Sequence, residues 1–250
     1  MAPSKKNKTP EYIFIDKSLF FPEKGILVIG DLHIGYEDAL VESGILIPER
    51  QVKEVIENIE RLIKEINKRG YGLKKIIFLG DIKHMFGYEW REKAGFNKII
   101  DFLEKYVAKE NIIPIKGNHD TIDYSYGNMR NYYLDGSIAF IHGHESFPEI
   151  YDKGINIVIS GHLHPSVIIQ EDPGVKKETY KCFLEGKSKG KMFIVLPSFL
   201  DFYEGTPVNY YSEDFVESFS IIPRKDILKF RIHVVGEDKV YDFGRICDLE

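Results

Sequence analysis

Residues 25–33 read "GILVIGDLH", and residues 74–84 repeat the pattern as "KKIIFLGDIKH", an aliphatic run that stops abruptly at Gly-Asp. Continuous apolar runs of four to six residues suit strands buried on both faces, not half-exposed strands that alternate. Three further stretches end the same way. "NIIPIKGNHD" (111–120) stops at Asn118, His119 and Asp120, "SIAFIHGHE" (137–145) at His142 and His144, and "INIVISGHLHP" (155–165) at His162 and His164. Any one of these clusters can be a turn, because Gly, Asn and Asp favour turns for backbone reasons alone. Five in succession need another cause.

Between the first two runs lies "IPERQVKEVIENIERLIKEINKRG" (47–70), where Ile47, Val52, Val55, Ile56, Ile59, Leu62, Ile63 and Ile66 recur at three- and four-residue steps. That spacing predicts one apolar helix face, with Pro48 near the start and Gly70 just past the end. "NKIIDFLEKYVAKE" (97–110) predicts a second amphipathic helix before the third run. Strand–helix–strand order implies βαβ units and an at least partly parallel sheet. Past about residue 165 the pattern changes. "SVIIQ", "KCFLEG", "KMFIVLPSF", "FSIIP" and "KFRIHVV" look like strands joined by turns, so a second, mainly antiparallel sheet packed on the first is expected. No low-complexity linker interrupts the chain, which reads as a single domain over 1–250, with 1–10 a disordered arm.

The 250 residues are enough to bury a sizeable core. No apolar run approaches the ~20 residues of a membrane span. The N-terminal lysines precede no apolar stretch of the signal-peptide kind. A cytoplasmic protein without membrane contact is therefore expected, and its two cysteines, Cys182 and Cys247, are expected to be reduced. The formal net charge of −5 supplies no global basic field for a polyanion. "GKSKGK" (186–191) is the one local basic candidate, and it also reads as a solvated hairpin tip.

In open α/β sheets, ligands bind at the carboxyl ends of the strands. The five runs would bring Asp31, His33, Asp81, Asn118, His119, His142, His162 and His164 towards one edge. Six of the eight histidines sit in these clusters and a seventh is His84, whereas histidine used only for packing would be scattered. Nitrogen and oxygen donors without a thiolate suit Mn, Fe, Co, Ni or Zn. The donors are too many for one closed structural zinc. The surplus fits two ions sharing a carboxylate. Such a pair, ~3.5–4 Å apart, generates a hydroxide nucleophile and clamps the oxygens of an in-line displacement at phosphorus. A phosphoester is the substrate class this implies.

The ordered series "GDLH", "GD", "GNHD", "HGH" and "GHLH" resembles the calcineurin-like metallophosphoesterase superfamily over about residues 26–165. The resemblance implies an α/β fold, a two-sheet β sandwich flanked by helices in four layers. It implies that Asp31, His33 and His164 bind one of two divalent transition-metal ions, that Asp81 bridges, and that Asn118, His142 and His162 hold the other. Manganese is the first expectation, with Ni, Zn, Fe or Co as alternatives. His119 resembles the general acid that protonates the leaving oxygen, with Asp120 as its orienting carboxylate, and Asn118 also reaches the phosphate. "DLHIGYEDALVESGILIPERQ" (31–51), "LGDIKH" (79–84) and "LPSFLDFYEGTPVN" (196–209) are similar to the archaeal and bacterial branch that includes PdeM-type phosphoesterases, itself related to SbcD-type nucleases. His84 matches a position near the substrate phosphate in those nucleases; otherwise it is a loop histidine.

His144 has the same neighbours as His142, but alternate residues of an extended segment face opposite ways, which favours His142. His233 lies in a strand with no polar cluster and reads as structural. Tyr36, Tyr88, Tyr124 and Tyr126 fall in the loops around the expected centre, either contacting substrate or packing as amphipathic cover. The expected activity is hydrolysis of a phosphodiester, either a small molecule or nucleic acid. A DNA nuclease with the same site is the alternative. An inactive scaffold on this fold would show eroded ligands, and every position here is intact. The strands after residue 165 leave a homodimer interface open.

Overall fold

The computed structural model describes residues 11–85, 90–120, 129–170, 177–210 and 220–249. The N-terminal arm and Tyr88, Tyr124 and Tyr126 lie outside the described residues. The first sheet is built from Ile13–Ile15 (β1), Ser18–Phe21 (β2), Ile26–Ile29 (β3), Lys75–Phe78 (β4) and Ile112–Pro114 (β5), in that order. β1–β2 and β2–β3 are antiparallel, whereas β3–β4 and β4–β5 are parallel. The parallel steps are crossed by Tyr36–Glu42 (α1) and Gln51–Lys68 (α2), then by Trp90–Leu103 (α3).

The second sheet runs β12-β9-β10-β11-β8-β7-β6. Its strands are Tyr132–Asp135 (β6), Ile138–Ile141 (β7), Ile157–Ser160 (β8), Pro165–Ile169 (β9), Glu178–Ser188 (β10), Lys191–Val195 (β11) and Thr206–Pro207 (β12). Beyond a single helical turn at Arg224–Ile227 (α4), Arg231–Val235 (β13) pairs with both β10 and Val240–Arg245 (β14).

The apolar runs explain the layering. Along β3, Leu27 and Ile29 pack with Val55, Ile59, Leu62 and Ile66 of α2, while Ile26 and Val28 pack with Phe140, Ile159 and Phe183 of the second sheet. β4 splits in the same way, Ile76 and Phe78 to the helices and Ile77 to the second sheet. A strand buried on both faces needs no polar alternation. The two-sheet sandwich flanked by helices is therefore as expected. Behind the second sheet, Ala139, Ile141, Cys182 and Phe193 are covered by Ile150, Ile222, Ile227 and Phe230, from turns and short helical segments.

Four readings are corrected. The second sheet begins near residue 132, not 165; it is mainly antiparallel as expected, although β7–β8, β8–β11 and β9–β12 are parallel. The β7–β8 crossover carries only a 3₁₀ turn at Pro148–Tyr151, so no helical period announced it. The second helix runs over Trp90–Leu103 rather than 97–110. "FSIIP" forms no strand over its described residues; Ile222 is instead a buried plug on the outer face of the second sheet. Finally, α2 starts at Gln51, three residues past Pro48, because the Glu37 carboxylate of α1 accepts the N–H groups of Arg50 (2.8 Å) and Gln51 (2.9 Å). That carboxylate caps the helix from another element.

"GKSKGK" is a hairpin tip, the two-residue turn Lys189–Gly190 between β10 and β11. Both cysteines are free, Cys182 buried and Cys247 exposed. Among the described residues, no helix is long and apolar enough to cross a membrane.

Ile59 has no exposed surface and lies at the centre of the α2–sheet contact. Ile59→Ala should lower unfolding stability by about 2–5 kcal/mol through lost burial and the cavity left behind. Lys64→Ala, which breaks only an exposed i,i+4 pair with Glu60, should change it by less than about 0.5 kcal/mol. Urea melts of the two variants check both.

Candidate metal centre

β3, β4 and β5 of the first sheet and β7 and β8 of the second all deliver their carboxyl ends to one edge of the sandwich. The loops there are tied to each other through the backbone. The N–H groups of Leu32 and His33 donate to the Asp81 carbonyl (3.1 and 2.9 Å), that of Phe199 to the Asp31 carbonyl (2.9 Å) and that of Gly161 to the His142 carbonyl (2.9 Å). His33, Asp81, His162 and His164 adopt positive φ of 44°, 44°, 69° and 44°. Non-glycine residues there cost of order 1–3 kcal/mol each and persist only where surrounding contacts over-determine them. This strain sits on four of the seven expected ligands.

Asp31 is wholly buried, and its carboxylate accepts the His162 N–H at 3.1 and 3.2 Å. It lies 3.3 Å from His164 Nε2 and 3.4 Å from His142 Nδ1. Asp81 Oδ2 lies 3.3 Å from His142 Nε2, 3.8 Å from His33 Nε2 and 4.0 Å from His119 Nε2. His33 Nε2 and His164 Nε2 approach to 3.2 Å, and His162 Nδ1 and His142 Nε2 to 3.1 Å. Asn118 Oδ1 stands 3.0 Å from His142 Nε2.

The donors fall into two overlapping groups. Asp31, His33, Asp81 and His164 form one, Asp81, His142 and His162 the other, and Asp81 belongs to both. His33, His84 and His119 form a third cluster beside them. His142 Nδ1 donates to the Leu79 carbonyl at 2.9 Å, which turns Nε2 towards Asn118, His162 and Asp81. Imidazole nitrogens this close, ringed by carboxylates, are donors converging on a cation. The residues present fit divalent ions.

Electrostatics agree with that geometry. Burial opposes ionisation of Asp31, but the imidazoles of His164, His142 and His33 outweigh it and hold the carboxyl well below its usual range. Burial likewise opposes ionisation of Asp81, and hydrogen bonding and charge from His142 still pull it down to about 2. Burial, with the neighbouring His164, pushes His33 down to about 3. Burial also opposes a charge on His142, yet Asp81 and Asp31 raise it to about 9. Without a cation, then, a proton sits on His142 at neutral pH.

Two expected roles look different in place. The buried Asp120 carboxylate accepts the N–H groups of Gly117 (2.9 Å), Ile82 (3.2 Å) and Lys83 (3.3 Å), and does not touch the His119 ring. It braces the β4 loop against the β5 loop, which corrects its reading as the carboxylate that orients His119. His119 Nδ1 instead meets the His84 carbonyl at 2.5 Å. His84 stacks beside His119, the rings 5.8 Å apart and 19° from parallel, and its Nδ1 is buried without a partner. His144 is exposed, and His142 is the residue in the cluster. His233 Nε2 pairs with Glu185 at 2.7 Å and belongs to none of the donor groups. Tyr36 packs its ring against His84 (4.9 Å), as Tyr203 does against His164 (5.5 Å).

Residues that no local motif flagged support the centre from behind. Lys17 donates to the Phe199 carbonyl (3.2 Å) and Lys181 to that of Ser198 (2.8 Å), pinning the segment that holds Asp31. Burial, with Lys17 nearby, pushes the Lys181 ammonium down to about 7. Glu92 of α3 accepts the N–H groups of His84 (3.0 Å) and Met85 (2.8 Å).

The sequence profile described as calcineurin-like phosphoesterase matches residues 25–152. The chain belongs to that family. Among solved structures, a nuclease MPE from Pseudomonas putida is similar over 93% of this chain and 100% of its own, with a TM-score of 0.59 and 18% identity. At that identity the likeness shows a shared fold. A metallophosphoesterase from Sphaerobacter thermophilus matches over 90% of each chain (15% identity, TM-score 0.30). A Vps29 double mutant from Entamoeba histolytica matches over 88% of this chain and 99% of its own (15% identity, TM-score 0.36). No curated protein matches the sequence significantly. A calcineurin-like phosphoesterase with a His/Asp cluster suited to divalent metal is thus what sequence and structure agree on.

Asp120→Ala should cost at least about 3 kcal/mol, because it orphans three buried amides at roughly 1–3 kcal/mol each. Chemical denaturation of the metal-free protein measures it. A cation must also displace the proton that the carboxylates hold on His142. Apparent metal affinity should therefore rise as pH rises towards about 9, with protons released on binding. Calorimetry in buffers of different ionisation enthalpy counts those protons.

Proposed function

We propose that the protein is a metal-dependent phosphodiesterase. The observation that carries this reading is the shared carboxylate, with Asp81 lying in both donor groups while Asp31, His33 and His164 complete one and His142, His162 and the amide oxygen of Asn118 complete the other. Two divalent ions, manganese first among the candidates, would supply there the electrophilic pull on a phosphoryl oxygen and the acidification of the attacking water. Asn118 stands where it can meet both an ion and a phosphate oxygen. His119 is the general acid. Its Nδ1–H donates to the His84 carbonyl, which orients the ring, and Nε2, on the Asp81 side, gives the leaving oxygen the second proton of the imidazolium, leaving the neutral Nδ1–H ring. His84, whose ring lies beside that of His119, is the second group we assign to the same phosphate.

We favour a diester substrate, with His119 as the proton donor for the leaving alkoxide. A DNA nuclease is the second reading, favoured by His84. Against it stands the net charge of −5.

Hydrolysis of bis-p-nitrophenyl phosphate should require Mn²⁺, Ni²⁺ or Zn²⁺, stop with chelator and exceed that of p-nitrophenyl phosphate. Preference for the monoester would overturn the phosphodiesterase reading. His119→Ala should keep its ions and lose turnover by about 10²–10⁴-fold, the usual contribution of a positioned proton donor. Unchanged turnover would remove His119 from the mechanism. Asp81→Asn should lose ions and activity together. If DNA is the substrate, binding should weaken steeply with salt.

A further inference from the structure

Metal-binding histidines are ordinarily aimed by a hydrogen bond from their second ring nitrogen. His142 has one, from Nδ1 to the Leu79 carbonyl. His33 does not, because its Nδ1 is buried without a partner. Its backbone is also strained, at φ 44°. Something other than the ring must hold His33 in register.

That support is the side chain of Gln51, the first residue of α2. Its Nε2 donates to the Leu32 carbonyl (3.1 Å) and the His33 carbonyl (2.7 Å), and its Oε1 accepts the Gly35 N–H (3.0 Å). One amide thus uses three of its hydrogen-bonding positions on three residues of the loop, Leu32, His33 and Gly35. Gln51 is itself buried and fixed, since the Glu37 carboxylate accepts its N–H. Gly35 is closed in from the other side. A Cβ there would meet Glu92 Oε1 at 2.5 Å, and the same oxygen holds the backbone of His84. The stretch "GYEDALVESGILIPERQ" (35–51), which the chemistry at the strand ends leaves unexplained, thereby acquires a purpose. It returns Glu37 and Gln51 to the loop that begins it.

We propose that Gln51, set by Glu37, is a positioning residue that locks the Leu32–Gly35 turn and so fixes His33 for the ion it shares with Asp31, Asp81 and His164. This rests on the metal-centre reading above. Loss of the clamp lets the strained turn relax and withdraws His33 from that ion. The other ion, held by Asp81, Asn118, His142 and His162, keeps its ligands.

The test is a Co²⁺ titration of the full chain, followed by dialysis stoichiometry and the visible d–d bands, for wild type and Gln51→Met. Methionine keeps the length and removes all three bonds. The wild type should bind two ions per chain. Gln51→Met should bind one as the wild type does and the other about 10–100-fold more weakly, with altered bands for that ion alone. Raising Mn²⁺ should restore its turnover of bis-p-nitrophenyl phosphate, which a merely destabilised protein would not show. Should Gln51→Met fail to fold, Gln51→Glu preserves shape and the acceptor towards Gly35 but faces two carbonyls with a carboxylate, and should weaken the same ion. Two unchanged affinities in a folded variant, or equal weakening of both, would overturn the proposal. A wild type that takes up no cobalt would overturn the metal-centre reading together with it.

Discussion

Everything at the working edge depends on one buried anion. Asp31 has no exposed surface, and an isolated carboxylate in that position would cost several kcal/mol in lost hydration. Its compensation comes almost entirely from the opposite sheet, as the N–H of His162 and the imidazoles of His164 and His142. The charge therefore joins the two layers of the sandwich at the edge where the aliphatic core between them ends. Its main chain is fastened too, by Phe199 on its carbonyl, and that segment is in turn held by Lys17 and Lys181. A charge that is costly alone becomes a rivet once five segments of chain converge on it.

The same convergence explains the strain. Donor atoms within 3.1–3.8 Å of one another cannot be reached from relaxed strand ends, so His33, Asp81, His162 and His164 turn into the left-handed region. The loops are packed so closely that a Cβ on Gly117 would come within 2.2 Å of Asp81 Oδ1, which only a glycine permits. Asp120 then stitches Gly117 to the backbone of Ile82 and Lys83. Local strain and interloop hydrogen bonds are two sides of one arrangement, pre-organised to hold ligands that would otherwise repel or drift.

How much of this was legible follows from which interactions are local. The five strand ends could be read because an apolar run and its terminal polar residues are neighbours in sequence. α2 could be read because its buried face repeats over five turns. Sheet membership could not, since a strand buried on both faces, such as "IAFI", looks the same in either sheet. α1, at seven residues, is too short for a period, and it buries Glu37, which sequence alone treats as a surface charge. Asp120 was assigned to His119 on the family resemblance, yet its partners are Gly117 and, across the interloop contact, Ile82 and Lys83. Gln51, Glu37 and Glu92 carry no signal of their own, because a buried, satisfied amide or carboxylate differs from an exposed one only in its partners.

A gradient follows, from chemistry to specificity. Reaction class depends on donor atoms whose types are written directly at the strand ends, and the family profile matches residues 25–152, the stretch that holds Asp31, His33, Asp81, Asn118 and His142. Specificity depends instead on what surrounds the candidate centre, and its flanks are assembled from distant segments, Tyr36 against His84 and Tyr203 against His164. Between the two lies the supporting layer, Gln51 and Glu92 on helices, Lys17 in the β1–β2 turn and Lys181 on β10. Its residues touch no expected ligand side chain; they grip the backbones that carry or flank those ligands. They act only through geometry, so their sequence identity is constrained by the fold rather than by the reaction. That is why a site whose expected ligands could be read from the chain alone still needed a structure to show what keeps those residues in place.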